Sequence, residues 1–524
     1  MDSKLDRKDN FGANLYIDTR GMEEEPVGFA QAVINGLASG GGLYVPEEIP
    51  SLTLEEICKL AEYPYKDRAA YIYQAFNIDL DDDAIDRCMD KSYADNFDTP
   101  EIAPITTLRN DVHVLELWHG PTSAFKDMAL QCLPNFFEAS ADKLKDEGKL
   151  DHDFCILVAT SGDTGKAALE GFKGISNVDV CVLFPDGGVS DLQRKQMVTT
   201  TGDNVCVWAV RGNFDDCQTT AKKVFSDESF NERLLKEDSV VLSSANSINW
   251  GRLMPQIVYY ISSYAELVAE GHIQAGEAID VCVPTGNFGN ILAAWYAKQM
   301  GTPIDKLLCA SNENKVLTDF IESGVYDISS REFVLTPSPS MDILVSSNVE
   351  RQLFELSGRK AEAVKKWMEE LSTNQRFELD DRTAAKLSSE FKGCSIDNEK
   401  CLQTIKDVLD EYDYLMDPHT AVAYAAAQEL KGNNPVLVAS TAHWAKFGSN
   451  VYRAINEIKP ADPLPSSIEE LTGCELNQDI ALTTNKHDIP KGLASLDSMP
   501  VRFNQVIDGN VESVEEKIVY FLNK

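Results

Sequence analysis

Short apolar, β-branched runs alternate with helical stretches from about residue 153 onward, and this alternation constrains the fold more than any other feature. Strand candidates lie at residues 154–159, 178–184, 205–210, 240–243, 279–283, 306–310 and 435–440. Helix candidates lie between them at residues 164–172, 214–225, 250–268 and 290–300. Such an alternation predicts parallel strands joined by crossover helices. The strands are apolar throughout, which is typical of strands covered on both faces, so we expect an α/β fold.

The charge balance argues against a nucleic-acid-binding protein. Lys and Arg total 48 against 84 for Asp and Glu, which gives a formal net charge of −36. Binding to nucleic-acid phosphates needs a clustered positive surface instead. The 12 cysteines are scattered without a CxxC pair, and no two histidines have metal-ligand spacing. We therefore expect no disulfide framework and no metal site.

Neither a membrane segment nor a targeting segment is evident. The longest apolar runs, at residues 291–297 and 421–427, are far shorter than the ~20 residues that span a bilayer. The first residues carry acidic side chains and no apolar stretch follows them, which is not typical of a secretory signal. We expect a cytoplasmic protein that does not bind membranes.

Loops rich in glycine and hydroxyl groups follow several strand candidates, where open α/β sheets place their ligands. The segments VATSGDTG at 158–165 and PTGNFGN at 284–290 each end a strand and begin a helix, and ASTAH at 439–443 ends the last strand. The amides at a helix start can bind an anion, although each loop could equally be an ordinary connection. The first loop lacks the Walker pattern because Ala167 follows Lys166, and no GxGxxG occurs, which disfavours ATP and dinucleotides.

One lysine stands at the end of a turn-forming segment, LWHGPTSAFKD at 117–127, just before an apolar helix. A lysine is ordinarily a solvated surface residue. In a ligand cleft, however, the amine of Lys126 could lose its charge and form a Schiff base with an aldehyde. Pyridoxal phosphate as that aldehyde would need a lysine, a phosphate-binding loop and a partner for its pyridine nitrogen. The chain offers all three.

These motifs together resemble the threonine synthase family, pyridoxal-phosphate enzymes of fold type II related to tryptophan synthase β. The matching segments span nearly the whole chain in family order: TRG at 19–21, GLASGGGLYVP at 36–46, HGPTSAFKD at 119–127, TSGDTG at 160–165, SANSIN at 244–249, PTGNFGN at 284–290, DPHTA at 417–421 and STAHWAKF at 440–447. The chain length is similar to the longer form found in fungi and many bacteria. The resemblance implies two parallel-sheet α/β domains and an N-terminal α+β region.

The resemblance also implies roles for individual residues. Lys126 would be the catalytic residue and would hold pyridoxal phosphate as a Schiff base. The other cofactor-binding residues would be Gly286, Asn287, Phe288, Gly289 and Asn290 around the phosphate and Thr441 at the pyridine nitrogen. The substrate-binding residues would be Ser161, Asp163, Thr164, Asn246, Ser247 and Arg252. A carboxylate beside the substrate carboxylate would repel it, so we expect amides and hydroxyls of the Asp163 loop to make that contact. Arg252, Lys195, Arg194 and Arg20 are all candidates for the substrate phosphate.

The implied reaction converts the small molecule O-phospho-L-homoserine and water to L-threonine and phosphate, by a monomer or a homodimer. Other functions are also compatible with these motifs. A threonine-synthase-like phospholyase acting on amino-alcohol phosphate esters would share the same lysine and loops, and would release a keto acid and ammonia. A serine or threonine dehydratase is disfavoured by the long N-terminal signature, and a silent paralogue that only binds partners is disfavoured by the intact lysine and phosphate loop.

The expected domain organisation follows from the same pattern. Residues 1–105 would form the N-terminal region, and residues 106–150 with 248–460 the large cofactor-binding domain. Within the latter, residues 340–412 read as a helical insertion that interrupts the sheet. Residues 151–247 would form a small mobile α/β domain that closes over the ligand, and residues 461–524 a C-terminal extension.

Overall fold

The computed structural model describes residues 12–109, 111–160, 162–485 and 488–524. The N-terminal region holds β1 (Tyr16–Asp18), α1 (Phe29–Asn35), β2 (Tyr44–Pro46), α2 (Leu54–Lys59), α3 (Tyr65–Ala75) and α4 (Asp82–Ser92), with β1 antiparallel to β2. Its aromatic side chains pack into the rest of the molecule. The ring of Tyr16 lies 5.7 Å from that of Trp250, and Phe29 lies 5.7 Å from Phe136. The region therefore shares one hydrophobic core with the following chain.

The next elements begin the large sheet and then form a smaller one. They are β3 (Ile105–Arg109), β4 (Val112–Glu116), α5 (Lys126–Leu130), α6 (Leu133–Asp146), β5 (Asp153–Ala159), α7 (Asp163–Phe172), β6 (Val178–Pro185), α8 (Asp191–Val198), β7 (Val205–Arg211), α9 (Phe214–Phe225), α10 (Glu228–Asp238) and β8 (Val240–Ser243). Strands β5 to β8 pair in parallel, as their apolar sequences predict.

The chain then returns to the large sheet through α11 (Trp250–Ala269), β9 (Ile279–Pro284), α12 (Gly289–Gln299), β10 (Ile304–Ser311), α13 (Val316–Ser323), β11 (Val325–Asp327), α14 (Val349–Leu356), α15 (Ala361–Asn374), β12 (Arg376–Glu378), α16 (Asp381–Glu390), β13 (Phe391–Ser395), α17 (Asn398–Tyr412), α18 (Pro418–Leu430), β14 (Val436–Ser440) and α19 (Gly448–Ile455). The six strands lie in the order β13-β10-β9-β14-β4-β3, and all are parallel except β3. Strands β11 and β12 form a separate antiparallel pair.

The structure corrects the expected insertion. Residues 340–412 do contain four helices, but β13 lies within them and pairs in parallel with β10 as an outer strand of the large sheet. The expectation that this segment only interrupts the sheet is wrong for β13. Its sequence, FKGCS, contains a glycine and a lysine, so pairing with the buried β10 rather than strand propensity decides its conformation.

The C-terminal segment returns to the small sheet. It contains α20 (Ser466–Glu469), α21 (Gly473–Thr484), α22 (Lys491–Ala494), β15 (Val506–Asp508) and α23 (Val511–Leu522). Strand β15 pairs in parallel with β7, which completes the order β15-β7-β6-β5-β8. Buried side chains of α23, Val514 and Ile518, join the core between that sheet and α9. No helix among the described residues is both long and apolar enough to cross a bilayer.

Candidate active site

The lysine-bearing turn connects β4 to α5 and is fixed by backbone bonds to the segment after β14. The amide of Phe125 donates to the Thr441 carbonyl at 2.8 Å, and the amide of His443 donates to the Ser123 carbonyl at 3.1 Å. Lys126 is the first residue of α5, and its side chain is 14 % exposed. The amine therefore lies in a protected position at the carboxyl end of the large sheet.

A buried carboxylate shapes the same turn from inside. The Asp127 carboxylate accepts hydrogen bonds from the amide and the hydroxyl of Thr122, at 2.8 and 2.7 Å. A Cβ atom on Gly120 would lie 2.4 Å from the Asp127 Cβ, so only glycine fits there. Burial raises the pKa of Asp127 to about 6, although the hydrogen bonds from Thr122 act to lower it. Gly120 and Thr122 of the HGPT sequence thus shape the turn that presents the lysine.

Asp163, the first residue of α7, lies opposite the lysine amine. Its Oδ2 is 3.7 Å from Lys126 Nζ, and its Oδ1 is 3.1 Å from the amine of Lys446, a wholly buried side chain. The Gln193 amide donates to Oδ1 at 3.1 Å, and the Ser340 hydroxyl donates to Oδ2 at 3.4 Å. The carboxylate is buried, and two lysines share it.

These charges shift the proton affinities of the groups in opposite directions. Burial lowers the pKa of Lys126; Asp163 acts against this shift, while Arg252 and Lys446 add to it. For Asp163, burial alone would raise the pKa, but Lys446 and Lys126 hold it well below its usual range. The site thus favours a carboxylate at Asp163, and the Lys126 amine loses its proton more easily than a solvated lysine would.

The loop at residues 286–290 joins β9 to α12 and brings its backbone close to the neighbouring chain. Phe288 adopts a left-handed conformation with φ 62°, directly before the helix starts at Gly289. A Cβ atom on Gly286 would lie 2.8 Å from the Ser340 carbonyl oxygen. The Asn348 amide also donates to the Asn287 carbonyl, at 3.2 Å. Such a tight turn at a helix start directs amides toward an anion.

Two buried polar atoms near this loop have no hydrogen-bond partner among the described residues, namely Arg252 Nε and Asn290 Nδ2. Arg252 is 4 % exposed, and its Nη1 donates to the Ala245 carbonyl at 2.9 Å. Burial lowers the pKa of Arg252 to about 10. Buried donors of this kind need an acceptor, so the glycine loop and these atoms together fit a phosphate-bearing ligand.

A chain of hydrogen bonds supports the far side of the site. The His419 Nδ1 lies 2.6 Å from the Asp417 carboxylate, and its Nε2 accepts from the Ser340 amide at 3.1 Å. The His419 imidazole therefore carries its proton on Nδ1 and accepts a hydrogen bond at Nε2. Asp417 also accepts from the Thr420 hydroxyl, which lies 3.0 Å from the Ser440 hydroxyl. The residue after Ser440, Thr441, is buried.

The expected substrate-binding residues differ in their burial and in their distance from the 286–290 loop. Ser161 lies outside the described residues. Thr164 is half-buried in the first turn of α7, whereas Asn246 is exposed. The hydroxyl of Ser247 lies 3.4 Å from that of Ser347, which in turn bonds Asn287 at 3.3 Å. The structure thus brings Ser247 close to the 286–290 loop.

Two alternative phosphate ligands are already paired. The guanidinium of Arg20 makes a two-pronged ion pair with Glu350, at 2.9 and 2.8 Å. Lys195 lies 2.8 Å from Asp191 and also pairs with Asp497. Arg252 is the candidate whose guanidinium retains an unsatisfied buried donor, so it is the one the structure favours.

Sequence reasoning missed several residues that hold the site together. Lys446, Gln193 and Ser340 contact Asp163, and Asn348 holds the phosphate loop. Lys446 lies within the STAHWAKF segment that the family resemblance already included, so the motif was the available signal. Asn348 has no comparable sequence signal, because its contacts come from a loop that packs on β9 only in the folded chain.

Comparison with known proteins identifies the family of the chain. Three family models match consecutive parts of the chain: "Threonine synthase N terminus" over residues 15–93, "Pyridoxal-phosphate dependent enzyme" over residues 99–441 and "Threonine synthase, C-terminal" over residues 420–518. The chain belongs to the threonine synthase family. The expectations of a fold type II architecture and of pyridoxal phosphate as cofactor are thereby confirmed.

Individual relatives support the family assignment. "Threonine synthase" of Pseudomonas aeruginosa is 38% identical over 459 residues, which cover 87% of this chain and 93% of that protein. The crystal structure of PLP-bound threonine synthase from Brucella melitensis is 36% identical with a TM-score of 0.84, and the match covers 98% of this chain and 100% of that one. Human "Threonine synthase-like 1" is 41% identical over 454 residues, covering 85% of this chain. The match spans only 60% of that longer human protein.

Proposed function

We propose that the chain is a threonine synthase, a carbon–oxygen lyase that converts O-phospho-L-homoserine and water to L-threonine and phosphate, the last step of threonine biosynthesis. The observation that carries the proposal is the buried guanidinium of Arg252, which has an unsatisfied Nε and acts electrostatically on Lys126. A phosphorylated substrate would give this cation an acceptor. We further propose that the enzyme acts in the cytoplasm, as a monomer or a homodimer.

The cofactor would be held by residues that follow strands β4, β9 and β14 of the large sheet. Lys126 would bind its aldehyde, the amides of residues 286–290 its phosphate, and the Thr441 hydroxyl its pyridine nitrogen. Bound pyridoxal phosphate supplies an electron sink for charge that develops on the substrate carbons. A neutral hydroxyl at the nitrogen, rather than a carboxylate, leaves that nitrogen less protonated and moderates the sink.

The chain's own groups would perform the proton transfers and bind the substrate. The Lys126 amine, once free, would take the proton from the substrate α-carbon, a role that its lowered pKa favours. Amides and hydroxyls at the start of α7, with Thr164 and Ser161, would bind the α-carboxylate. Arg252, with Ser247 and Asn246, would bind the phosphate that leaves. Arg252 and Lys446 outnumber the single buried carboxylate that acts on Lys126, so the site is locally positive despite the net charge of −36.

Closure of the small sheet over the substrate would exclude water from these steps. The Ser340 bond to Asp163 already links the two sides of the site at 3.4 Å. We propose that residues 151–247 move together with β15 and α23, because those elements belong to the same sheet and core. Small-angle scattering with and without a substrate analogue tests this closure, and an unchanged envelope counts against it.

The activity is tested with purified protein, pyridoxal phosphate and O-phospho-L-homoserine. Phosphate, threonine, keto acid and ammonia are measured in the same reaction. Equal amounts of threonine and phosphate, lost in Lys126→Ala and retained in Lys366→Ala, support the proposal. Lys366 is a suitable control because its side chain is 71 % exposed. Phosphate with keto acid and ammonia would instead identify a phospholyase, and release of no phosphate would reject both reactions.

A further inference from the structure

Lys446 is a buried cation with no role in the reaction as proposed above. It belongs to the turn Trp444–Phe447 that follows β14, and its side chain is 0 % exposed. Its amine lies 3.1 Å from Asp163 Oδ1, 2.7 Å from the Thr122 carbonyl and 3.3 Å from Gln196 Oε1. A buried ammonium is strongly unfavourable without partners, and these three acceptors stabilise its charged form.

Lys126 has a much poorer set of partners. Its amine is 3.7 Å from Asp163 Oδ2, farther than Lys446 is from Oδ1. The charged groups that act on it come from several elements: Asp163 of α7, Arg252 of α11 and Lys446 of the turn after β14, while His419 of α18 acts on Asp163. Lys446 thus competes with Lys126 for one carboxylate, and Arg252 repels the charged form of Lys126. Of the two lysines that contact Asp163, Lys126 is therefore the one that loses its proton more easily.

We propose that Lys446 is a positioning residue that holds the Asp163 carboxylate as its counter-ion and thereby favours the neutral form of the Lys126 amine. The inference rests on the proposed role of Lys126 as the residue that binds the cofactor aldehyde. A neutral amine bonds to the aldehyde carbon and the aldehyde oxygen leaves as water, whereas an ammonium has no lone pair for that bond. Burial and the repulsion from Lys446 both lower the pKa of Lys126, in agreement with the geometry.

Lys446 also neutralises the Asp163 carboxylate, which would otherwise repel an anionic substrate. Asp163 unpaired would repel a carboxylate or phosphate bound at the start of α7. With Lys446 at 3.1 Å the pair is neutral overall, so the helix start remains favourable for an anion. The same contact therefore serves both the lysine and the substrate loop.

The test measures the rate at which pyridoxal phosphate binds to cofactor-free protein as a function of pH, followed by absorbance. The rate should rise with the neutral fraction of Lys126. The pH at which the rate is half-maximal, its midpoint, therefore measures the loss of the Lys126 proton. In Lys446→Met, Asp163 becomes available to Lys126, and we expect the midpoint to move up by at least one pH unit. At any pH well below both midpoints the binding rate then falls about tenfold, and it recovers at higher pH. Lys446→Arg keeps the cation and should restore the midpoint.

Two further variants separate this role from a general loss of structure. Lys166→Met on α7 removes another largely buried lysine, one that pairs with Glu170 at 2.8 Å, and should leave the midpoint unchanged. In an Asp163→Asn background, Lys446→Met should shift the midpoint less than it does alone. An unchanged midpoint in Lys446→Met, or a loss of rate that is equal at every pH, overturns the inference. Threonine formation by the wild type is measured separately, so failure of the proposed function is distinguished from failure of this one.

Discussion

The amide of Phe125 donates to the carbonyl oxygen of Thr441 at 2.8 Å, beside an antiparallel bridge between Ala124 and Ala442. This backbone contact joins the end of β14 to the turn that carries Lys126. The proposed partners of the cofactor aldehyde and of its ring nitrogen therefore have a relative position that the main chain fixes. Side-chain contacts need only adjust it.

Replacing Gly286 with alanine should weaken cofactor binding at least tenfold. The new Cβ would lie 2.8 Å from the Ser340 carbonyl oxygen, a backbone atom that cannot move away as a flexible side chain would. The displaced loop would then direct its amides away from the phosphate. Titration of cofactor-free protein with pyridoxal phosphate, followed by absorbance, measures the dissociation constant.

Gly432→Ala is the matched control, because no atom lies within 4 Å of the Cβ it would add. Its dissociation constant should equal that of the wild type. Equal constants for Gly286→Ala and wild type would show that the loop does not approach the cofactor phosphate.

Substitution of Arg252 by lysine should raise the KM for O-phospho-L-homoserine about 10- to 100-fold. A charge-assisted hydrogen bond contributes about 1.5–3 kcal/mol, and a lysine amine cannot reproduce the planar fork of a guanidinium. Steady-state kinetics over a range of substrate concentrations measures the change. Arg194→Lys alters an exposed arginine of α8 and should leave KM unchanged. The reverse pattern would assign the substrate phosphate to Arg194 instead.

Local sequence predicted strands β9, β10 and β14 of the large sheet but missed the inner strand β4 and the edge strand β13. Strands β9, β10 and β14 each contain a run of at least three apolar residues, so composition suffices to find them. Strand β4 has the sequence VHVLE, with a histidine and a glutamate, and β13 contains a glycine. Their conformation depends on pairing with β14 and β10, which are distant in sequence.

The site shows the same division between local and tertiary information. The turn around Lys126 and the 286–290 loop are encoded by contiguous residues, so motifs reveal them. Arg20 and Lys446 both lie within segments that match the family, so the motifs alone do not say which of the two cations enters the site. In the fold, Glu350 neutralises Arg20, while the approach of α7 buries Lys446 against Asp163. Only the long-range contact decides which cation belongs to the site.

Truncation of Ile518 to alanine should destabilise the small sheet. The side chain is 0 % exposed in the core between the sheet and α9, and removing such a side chain costs about 2–5 kcal/mol. The urea midpoint of unfolding should fall measurably. Tyr520→Ala on the same helix removes a residue that is 66 % exposed and should change little. Equal midpoints for the two variants would mean that α23 does not pack on this sheet in solution.

Stability should depend on pH through His119, which lies between two carboxylates. Burial alone would lower its pKa, but Asp98 at 2.5 Å and Glu116 at 2.9 Å raise it to about 9. Because the folded pKa exceeds the ordinary value of 6.5, the stabilisation is complete below about pH 6.5 and disappears as pH rises through about 9. His119→Asn should therefore lower the unfolding free energy by about 2–3 kcal/mol more at pH 6 than at pH 10.

Urea unfolding at both pH values measures the difference, with His152→Asn, beside the exposed Asp151, as the control. A loss that is equal at the two pH values would show that the ring contributes by packing against Trp118 rather than by its charge.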